Sequence, residues 1–105
     1  MEKVATDKGV KFDEGKPRVG LVLGGFSRAL EAVSEVGTYG AIKYTDHGWR
    51  SVPDGFNRYT DAMLRHWLKE NEGMCDQESE QLHAAHLAWN ALARLQLLLE
   101  ESDDT

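Results

Sequence analysis

The sequence is poor in cysteine and in long apolar runs. Its one cysteine, Cys75, can form neither an internal disulfide nor a zinc site of several cysteines, so nothing points to an oxidising compartment. Residues 1–10 are polar and charged, and no segment approaches the ~20 apolar residues that a membrane-spanning helix needs. We therefore expect a protein of the reducing cytoplasm that is neither exported nor embedded in a membrane.

The chain also lacks a surplus of positive charge. Its net charge of −6 argues against binding to duplex nucleic acid or to an anionic membrane surface. Like charges at the C-terminal end favour a solvated tail there, and they belong to Glu100, Glu101, Asp103 and Asp104. The remainder is near neutral, so a local group of lysines and arginines could still bind a nucleotide phosphate.

A chain of 105 residues is expected to form one small domain with a thin core, which self-association would help to complete. Hydrophobic residues make up 41% and charged residues 29%, so the middle of the chain should fold. Residues 1–18 show no apolar periodicity and are predicted to be an extended arm. Residues 19–99 are the predicted helical domain, and residues 100–105 are the acidic tail.

Apolar residues recur at intervals of three and four in three segments, which is typical of amphipathic helices. The first begins near residue 26 and either ends near Gly37 and Gly40 or uses these glycines for a close backbone approach. The second spans residues 56–70, and the third spans residues 77–100 with Asp76 as its N-cap. The run at residues 20–25 could be a strand or the lead-in to a helix, and we favour the lead-in. The expected fold is mainly α, a small bundle of three main helices with an irregular N-terminal arm, completed by a homo-oligomer.

The third predicted helix carries a polar stripe. His83, His86 and Asn90 are spaced i, i+3 and i+7, so their side chains share one stripe beside the buried face. An unpaired buried polar group costs ~1–3 kcal/mol, so these three need protein partners, water, a metal or a ligand. Hydrogen bonds to carboxylates on other helices and a ligand site both remain open. A metal shared by His83 and His86 is also possible, with His66 as a third ligand only if the tertiary fold brings it near.

Acidic residues could supply a metal site for nucleotide chemistry. Mg²⁺ prefers carboxylate oxygens, and Glu35 on the first helix lies one turn after Glu31. A second acidic group spans residues 76–80 and includes Glu78, although capping and the helix dipole also favour acidic residues at a helix start. On the second helix, Arg58, Asp61 and Arg65 form one stripe, which is either a solvated face held by a weak i, i+4 ion pair between Asp61 and Arg65 or part of a site.

Cations and aromatic rings elsewhere could bind the rest of a nucleotide. Guanidinium and ammonium groups pair with phosphate oxygens, and aromatic rings stack on bases. The candidate cations are Lys16, Arg18, Lys43, Arg58 and Arg65, and the candidate rings are Phe12, Tyr39, Tyr44 and Trp49. Trp49 lies in a predicted loop, so its ring either docks on the core or contacts a ligand.

Several motifs follow one another between residues 11 and 99. They are Lys11-Phe12-Asp13-x-Gly15-Lys16-Pro17-Arg18, Tyr39-Gly40-Ala41-x-Lys43-Tyr44, Trp49, Arg58-Tyr59-x-Asp61-Ala62-x-Leu64-Arg65-His66, Glu78-Ser79 and His83-Ala84-Ala85-His86-x-Ala88-Trp89-Asn90-Ala91-Leu92. In this order they resemble a phage family of dATP/dGTP diphosphohydrolase N-terminal domains. The resemblance implies a phage-encoded protein of the host cytoplasm that handles purine nucleotides. A looser similarity connects the family to the all-helical pyrophosphohydrolases of the MazG type.

The similarity to MazG-type enzymes implies Mg²⁺ as the cofactor, held by a Glu-x-x-Glu pair and a later Glu-x-x-Asp pair. Here Glu31 and Glu35 are spaced Glu-x-x-x-Glu, and the only later Glu-x-x-Asp spacings fall in the acidic tail. For an enzyme we expect Mg²⁺ on Glu35, Asp61 and Glu78. The expected catalytic residues are Glu35, Asp61, His83 and His86, and the expected nucleotide-binding residues are Lys16, Arg18, Lys43, Tyr44, Trp49, Arg58, Arg65, His66 and Asn90.

Three functions compete at this point. The first is an enzyme that cleaves a purine nucleoside triphosphate to monophosphate and pyrophosphate. The second is a binding protein that sequesters a nucleotide-derived immune signal without turnover. The third is a small interaction domain whose polar stripe is structural.

Overall fold

The computed structural model describes residues 14–103, which are mainly helical, as the sequence predicts. The helices are α1 (Val19–Gly25), α2 (Ser27–Lys43), α3 (Gly55–Lys69) and α4 (His83–Asp103), with a 3₁₀ helix at Gly48–Ser51 between α2 and α3. The only β-type pairing within residues 14–103 is an isolated antiparallel bridge between Cys75 and Leu82. None of the helices in this part of the chain combines the length and apolarity needed to cross a membrane.

The chain divides into two compact units, with the boundary between Leu30 and Glu31. In the first unit, the described residues comprise an exposed segment at residues 14–18, the helix α1 and the first residues of α2. No residue of α1 is buried. The run at residues 20–25 is therefore helical, in a short helix of its own. Phe12 and most of the predicted arm lie outside the described residues.

In the second unit, α2 passes both of its internal glycines and continues to Lys43. A Cβ at Gly37 would lie 3.1 Å from Nε1 of Trp89, so glycine permits a close approach of α2 to α4. A Cβ at Gly40 would meet nothing within 4 Å among the described residues. Of the two alternatives for these glycines, the close approach is therefore correct at Gly37.

The most extensive helix contact in the second unit is between α3 and α4. Helix α3 begins with the buried Gly55, where a Cβ would lie 3.2 Å from Cδ1 of Leu97. The observed bounds of α3 agree with the predicted ones to within one residue. Small side chains dominate the buried positions of this unit, which are Val36, Gly55, Ala85 and Ala93, together with the polar His83 and Asn90.

An aromatic cluster fixes the 3₁₀ helix to the pair of α3 and α4. The rings of Trp49, Tyr59 and Trp89 meet edge to face, with centroid distances of 5.7–6.2 Å. The hydroxyl of Tyr59 donates a hydrogen bond of 2.6 Å to the carbonyl oxygen of Trp49. Trp49 is therefore docked on the core rather than free in its loop.

The predicted start of the third helix at residue 77 is wrong, because α4 begins at His83. Residues 76–82 instead form a loop closed by hydrogen bonds from Asp76 N to Gln81 O and from His83 N to Met74 O, both 2.8 Å. Glu80 has a φ of 63°, a left-handed conformation that an α-helix does not accommodate. Asp76 does cap a backbone N–H, that of Ser79 at 2.8 Å, but within this loop rather than at a helix start.

Helix α4 leaves much of its predicted apolar stripe uncovered. Leu92, Leu95 and Leu99 are each about half exposed. The helix also continues past residue 100 to Asp103, so the predicted acidic tail begins inside it. There, Glu100 forms an ion pair with Arg50 of the 3₁₀ helix.

Candidate functional site

Three histidines that are distant in sequence come together between α3 and α4. His66 lies on α3, and His83 and His86 lie on the first turn of α4. The loop before α4 adds Asp76 and Ser79. These five residues are called the histidine cluster. His83 is only 7% exposed, whereas His66, His86, Asp76 and Ser79 are partly exposed.

The ring nitrogens define how the three imidazoles meet. Nδ1 of His66 lies 2.9 Å from Nδ1 of His83, so one of these nitrogens donates a proton and the other accepts it. The rings of His66 and His86 are stacked, with centroids 4.4 Å apart and planes 7° from parallel. His66 is therefore held by one histidine at its edge and by the other at its face.

Ser79 joins the histidines to the carboxylate. Its Oγ donates to Oδ2 of Asp76 at 3.0 Å and accepts the backbone N–H of Gln81 at 3.2 Å. Oγ also lies 2.7 Å from Nε2 of His86. Because a hydroxyl has one proton and here gives it to the carboxylate, Nε2 of His86 must be the donor to Oγ. This assignment leaves Nδ1 of a neutral His86 as a proton acceptor.

Burial and hydrogen bonding set the charges in the cluster. Burial lowers the pKa of His66, and the neighbouring histidines lower it further. Burial also lowers the pKa of His86, against the opposing effect of the Asp76 carboxylate. For Asp76, burial is the largest single effect and raises the pKa, but the hydrogen bonds from Ser79 and the nearby His86 and His66 together lower it by more, so the net pKa is lowered. Near neutral pH the cluster therefore combines neutral imidazoles at His66 and His86 with an ionised carboxylate.

One group of side chains in the described residues has the arrangement of a metal site. His66, Asp76 and His83 each place one donor atom within 4.8 Å of the others. The carboxylates expected to hold Mg²⁺, those of Glu35, Asp61 and Glu78, are not brought together into such a group within residues 14–103. The Mg²⁺ arrangement implied by the MazG-type similarity is thus not the one that these side chains form.

Glu78 has a different set of partners. Nζ of Lys43 lies 2.7 Å from its Oε1, and the hydroxyl of Tyr39 donates to the same oxygen at 3.0 Å. The hydrogen bond from Lys43, followed by that from Tyr39, lowers the pKa of Glu78. Lys43, which the sequence predicts to bind phosphate, is therefore paired with a carboxylate. The ring of Tyr44, which the sequence predicts to stack on a base, has its centroid 5.4 Å from Nζ of Lys43.

The predicted stripe on α3 is exposed. Arg58, Asp61 and Arg65 all lie at the surface. Asp61 and Arg65 are one turn apart, yet no ion pair between them is found in the part of the chain that the structure describes. Arg65 lies near enough to His66 to lower the pKa of that imidazole. Arg65 therefore places positive charge beside the histidine cluster, and it forms no ion pair among residues 14–103.

The remaining predicted binding residues are dispersed. Asn90 is 6% exposed, and its Nδ2 donates to the carbonyl oxygen of His86 on the same helix at 2.8 Å. Lys16 and Arg18 are exposed residues of the first unit. Trp49 lines an open groove of about 430 Å³ together with Val33 and Trp89. Glu35 lines another open groove of about 560 Å³, to which Tyr39 and Gln81 also contribute.

The sequence does not predict how two members of the histidine cluster contact the imidazoles. It indicates Asp76 as a helix cap or as one of several acidic ligands, and it assigns no role to Ser79. The Glu78-Ser79 motif contained a signal for Ser79, but its contact with His86 depends on the loop at residues 76–82. For His66, the sequence indicates a place beside the other histidines only if the tertiary fold brings it near. The structure does place His66 beside His83.

The comparison with known proteins agrees with the order of the motifs. The family model described as dATP/dGTP diphosphohydrolase, N-terminal, matches residues 6–105. No curated protein and no solved structure matches the chain. The family match covers the histidine cluster, the arginines of α3 and the Glu78 contacts together. The chain therefore belongs to the family of dATP/dGTP diphosphohydrolase N-terminal domains.

Proposed function

We propose that this chain binds a purine deoxynucleoside triphosphate on its second unit and hydrolyses it to the monophosphate and pyrophosphate. The observation that carries the proposal is the histidine cluster, which gathers proton acceptors and a carboxylate between α3 and α4. The family to which the chain belongs supports dATP and dGTP as the substrates to test first. The resemblance of the motifs to phage proteins supports a phage-encoded enzyme that acts in the host cytoplasm.

The triphosphate would be bound by arginines of α3. Arg58 and Arg65 are exposed and form no ion pair within the described residues, so their guanidinium groups are available for phosphate oxygens. Arg65 lies near enough to His66 to lower the pKa of that imidazole, so its charge acts on the histidine cluster. A phosphate held by Arg65 would therefore lie beside the proton acceptors.

The reaction requires water to attack the α-phosphorus. The new P–O bond forms as the bond from that phosphorus to the bridging oxygen breaks, and pyrophosphate leaves with the bonding electron pair. Nδ1 of His86 is the acceptor for the water proton, because Nε2 is already committed to Ser79. His83 is more deeply buried and is paired with His66, so it orients the cluster.

The second candidate function is sequestration of a nucleotide without turnover. It is favoured by one observation, that Glu35, Asp61 and Glu78 are not assembled into a carboxylate site for Mg²⁺ within the described residues. Arginines and aromatic rings need no metal to hold a phosphate or a base. In this case the nucleotide would remain intact on the protein.

A single incubation separates the two functions. The untagged chain is mixed with dATP, dGTP or cyclic nucleotides in the presence of Mg²⁺, and the solution is chromatographed before and after heat denaturation. Hydrolysis predicts monophosphate and pyrophosphate, whereas sequestration predicts intact nucleotide released on denaturation. If no nucleotide is consumed and none raises the Tm, both proposals are wrong.

A matched pair of histidine variants tests the site. His86→Gln should abolish product formation, while His47→Gln should turn over at the rate of the unmodified chain, because His47 is exposed and lies outside the cluster. Equal loss of activity in the two variants would contradict the assignment of the cluster as the active site.

A further inference from the structure

We propose that His66, Asp76 and His83 form a binding site for a divalent first-row transition-metal ion, with Zn²⁺ as the ion to test first. Their donor atoms lie within 4.8 Å of one another, and they come from α3, from the loop before α4 and from the first residue of α4. The ion would join three segments of the second unit at one point. The site lies within the histidine cluster on which the proposed hydrolysis rests, but it is argued from the ligand geometry and its test does not depend on turnover.

The contact between the two imidazoles is the strongest support for this site. Nδ1 of His66 and Nδ1 of His83 are 2.9 Å apart, a distance that requires one proton between the two lone pairs. A metal ion replaces that proton and accepts both lone pairs. Two nitrogens bound at about 2.05 Å to a tetrahedral ion lie about 3.3 Å apart, so the rings need to separate by only about 0.4 Å.

The carboxylate of Asp76 is held in place as the third ligand. Its Oδ2 accepts both hydrogen bonds from Ser79, from the backbone N–H and from the hydroxyl, and Oδ1 takes part in neither. Ser79 is in turn bonded to His86, which stacks on the ring of His66. Such supporting contacts orient metal ligands and raise affinity for the ion.

The ligand set selects against Mg²⁺. Imidazole nitrogens suit Zn²⁺ and its neighbours in the first transition row, whereas Mg²⁺ prefers oxygen ligands in near-ideal octahedral geometry. Two imidazoles and one carboxylate also leave a coordination position open. With one carboxylate charge against a divalent ion, the filled site keeps a positive charge, so the open position fits water or an anionic oxygen such as that of a phosphate.

Metal binding can be measured directly on the untagged chain after dialysis against EDTA. Titration with Co²⁺ is followed by its visible absorption, and titration with Zn²⁺ by calorimetry. We expect one ion per chain, and no displacement of Co²⁺ by an equal concentration of Mg²⁺. His66→Gln and Asp76→Asn should each lower the Zn²⁺ affinity at least about tenfold. His47→Gln should bind as the unmodified chain does, because His47 lies outside the cluster.

The variants are chosen so that unfolding cannot mimic the result. His66 and Asp76 are only partly buried, unlike His83. Far-ultraviolet circular dichroism of the metal-free variants is the check that both variants fold. Absence of binding to the unmodified chain, or affinity unchanged in both His66→Gln and Asp76→Asn, would overturn the proposal. Nucleotide turnover is not a readout here, so this test and the test of hydrolysis can fail separately.

Discussion

The hydroxyl of Ser79 is the point at which the acidic and the imidazole parts of the site meet. It gives its proton to Asp76 and accepts hydrogen bonds from Gln81 and His86. A hydroxyl is the smallest side-chain group that can both donate and accept in this way. The tautomer of His86 and the orientation of the carboxylate therefore both depend on one oxygen atom.

Replacing that oxygen has a defined cost. Ser79→Ala leaves Asp76 with one hydrogen bond fewer and His86 Nε2 without its acceptor, and each lost hydrogen bond costs about 0.5–1.5 kcal/mol. We expect a lower free energy of unfolding in urea. Ser51→Ala, at an exposed position in the 3₁₀ helix, is the control and should change it by less than about 0.5 kcal/mol. Equal stability of the two variants would show that the Ser79 hydroxyl contributes nothing.

Acid should destabilise the metal-free protein. Folding lowers the pKa values of His66 and His86 from their ordinary value of 6.5. Between each folded-state pKa and pH 6.5, the unfolded chain therefore binds more protons than the folded one. The contribution is fully present above pH 6.5 and is lost as the pH falls through the folded-state pKa values. We expect the free energy of unfolding, measured with urea in EDTA, to fall in this window.

The groups around these two rings determine how steep that loss is. Asp76 favours protonation of both rings, and Glu78 favours protonation of His86. His83 opposes protonation of both rings, and Arg65 and His86 also oppose protonation of His66. His86→Gln should reduce the slope of unfolding free energy against pH below pH 6.5, whereas His47→Gln should keep it. A slope that His86→Gln does not change would contradict the assignment.

At the level of helices, sequence periodicity predicts interiors better than ends. The bounds of α3 follow from its apolar spacing, but the start of α4 does not, because a carboxylate that caps a loop N–H looks in sequence the same as one that caps a helix. The left-handed conformation of Glu80 cannot be predicted from the sequence either, since glutamate rarely adopts it. The local preference of residues 76–82 for a helix is therefore overridden by the hydrogen bonds that close this segment into a loop.

The same limit applies to the site. The spacing of His83 and His86 on one helix predicts that their side chains share one stripe, and in the structure both rings contact the ring of His66. The approach of His66 depends on how α3 packs against α4, which no local pattern encodes. Helical spacing could equally suggest an ion pair between Asp61 and Arg65, yet none forms among the described residues, since exposed pairs gain little.

Two glycines in α2 provide a matched test of helix packing. Gly40→Ala should raise the free energy of unfolding by up to about 1 kcal/mol, because alanine is the better helix former and its Cβ would meet no described residue within 4 Å. Gly37→Ala should lower it, because its Cβ would lie 3.1 Å from Trp89, whose ring is held by Trp49 and Tyr59. Urea unfolding measures both, and a gain at Gly37 as large as that at Gly40 would contradict the close approach.

For the molecule as a whole, the second unit keeps large apolar side chains in contact with solvent. On α3 these are Leu64, Trp67 and Leu68, and on α4 they are Leu92, Leu95, Leu98 and Leu99. The buried apolar side chains of the same unit are small ones, Val36, Ala85 and Ala93. A core of this size supplies little stabilisation by burial, whereas covering half-exposed leucines would add about 25 cal/mol for each Å² removed from water.

We therefore expect the chain to self-associate through the exposed leucines of α4, as its short length predicts. Light scattering coupled to gel filtration should give the mass of a dimer or a larger assembly. The double variant Leu95→Gln and Leu99→Gln should shift the protein towards the monomer, because both side chains are about half exposed and neither belongs to the histidine cluster. Ile42→Gln is the control, since Ile42 is 81% exposed but lies on α2. A monomeric mass for the unmodified chain, or an assembly that survives the double variant, would show that these leucines are not the interface.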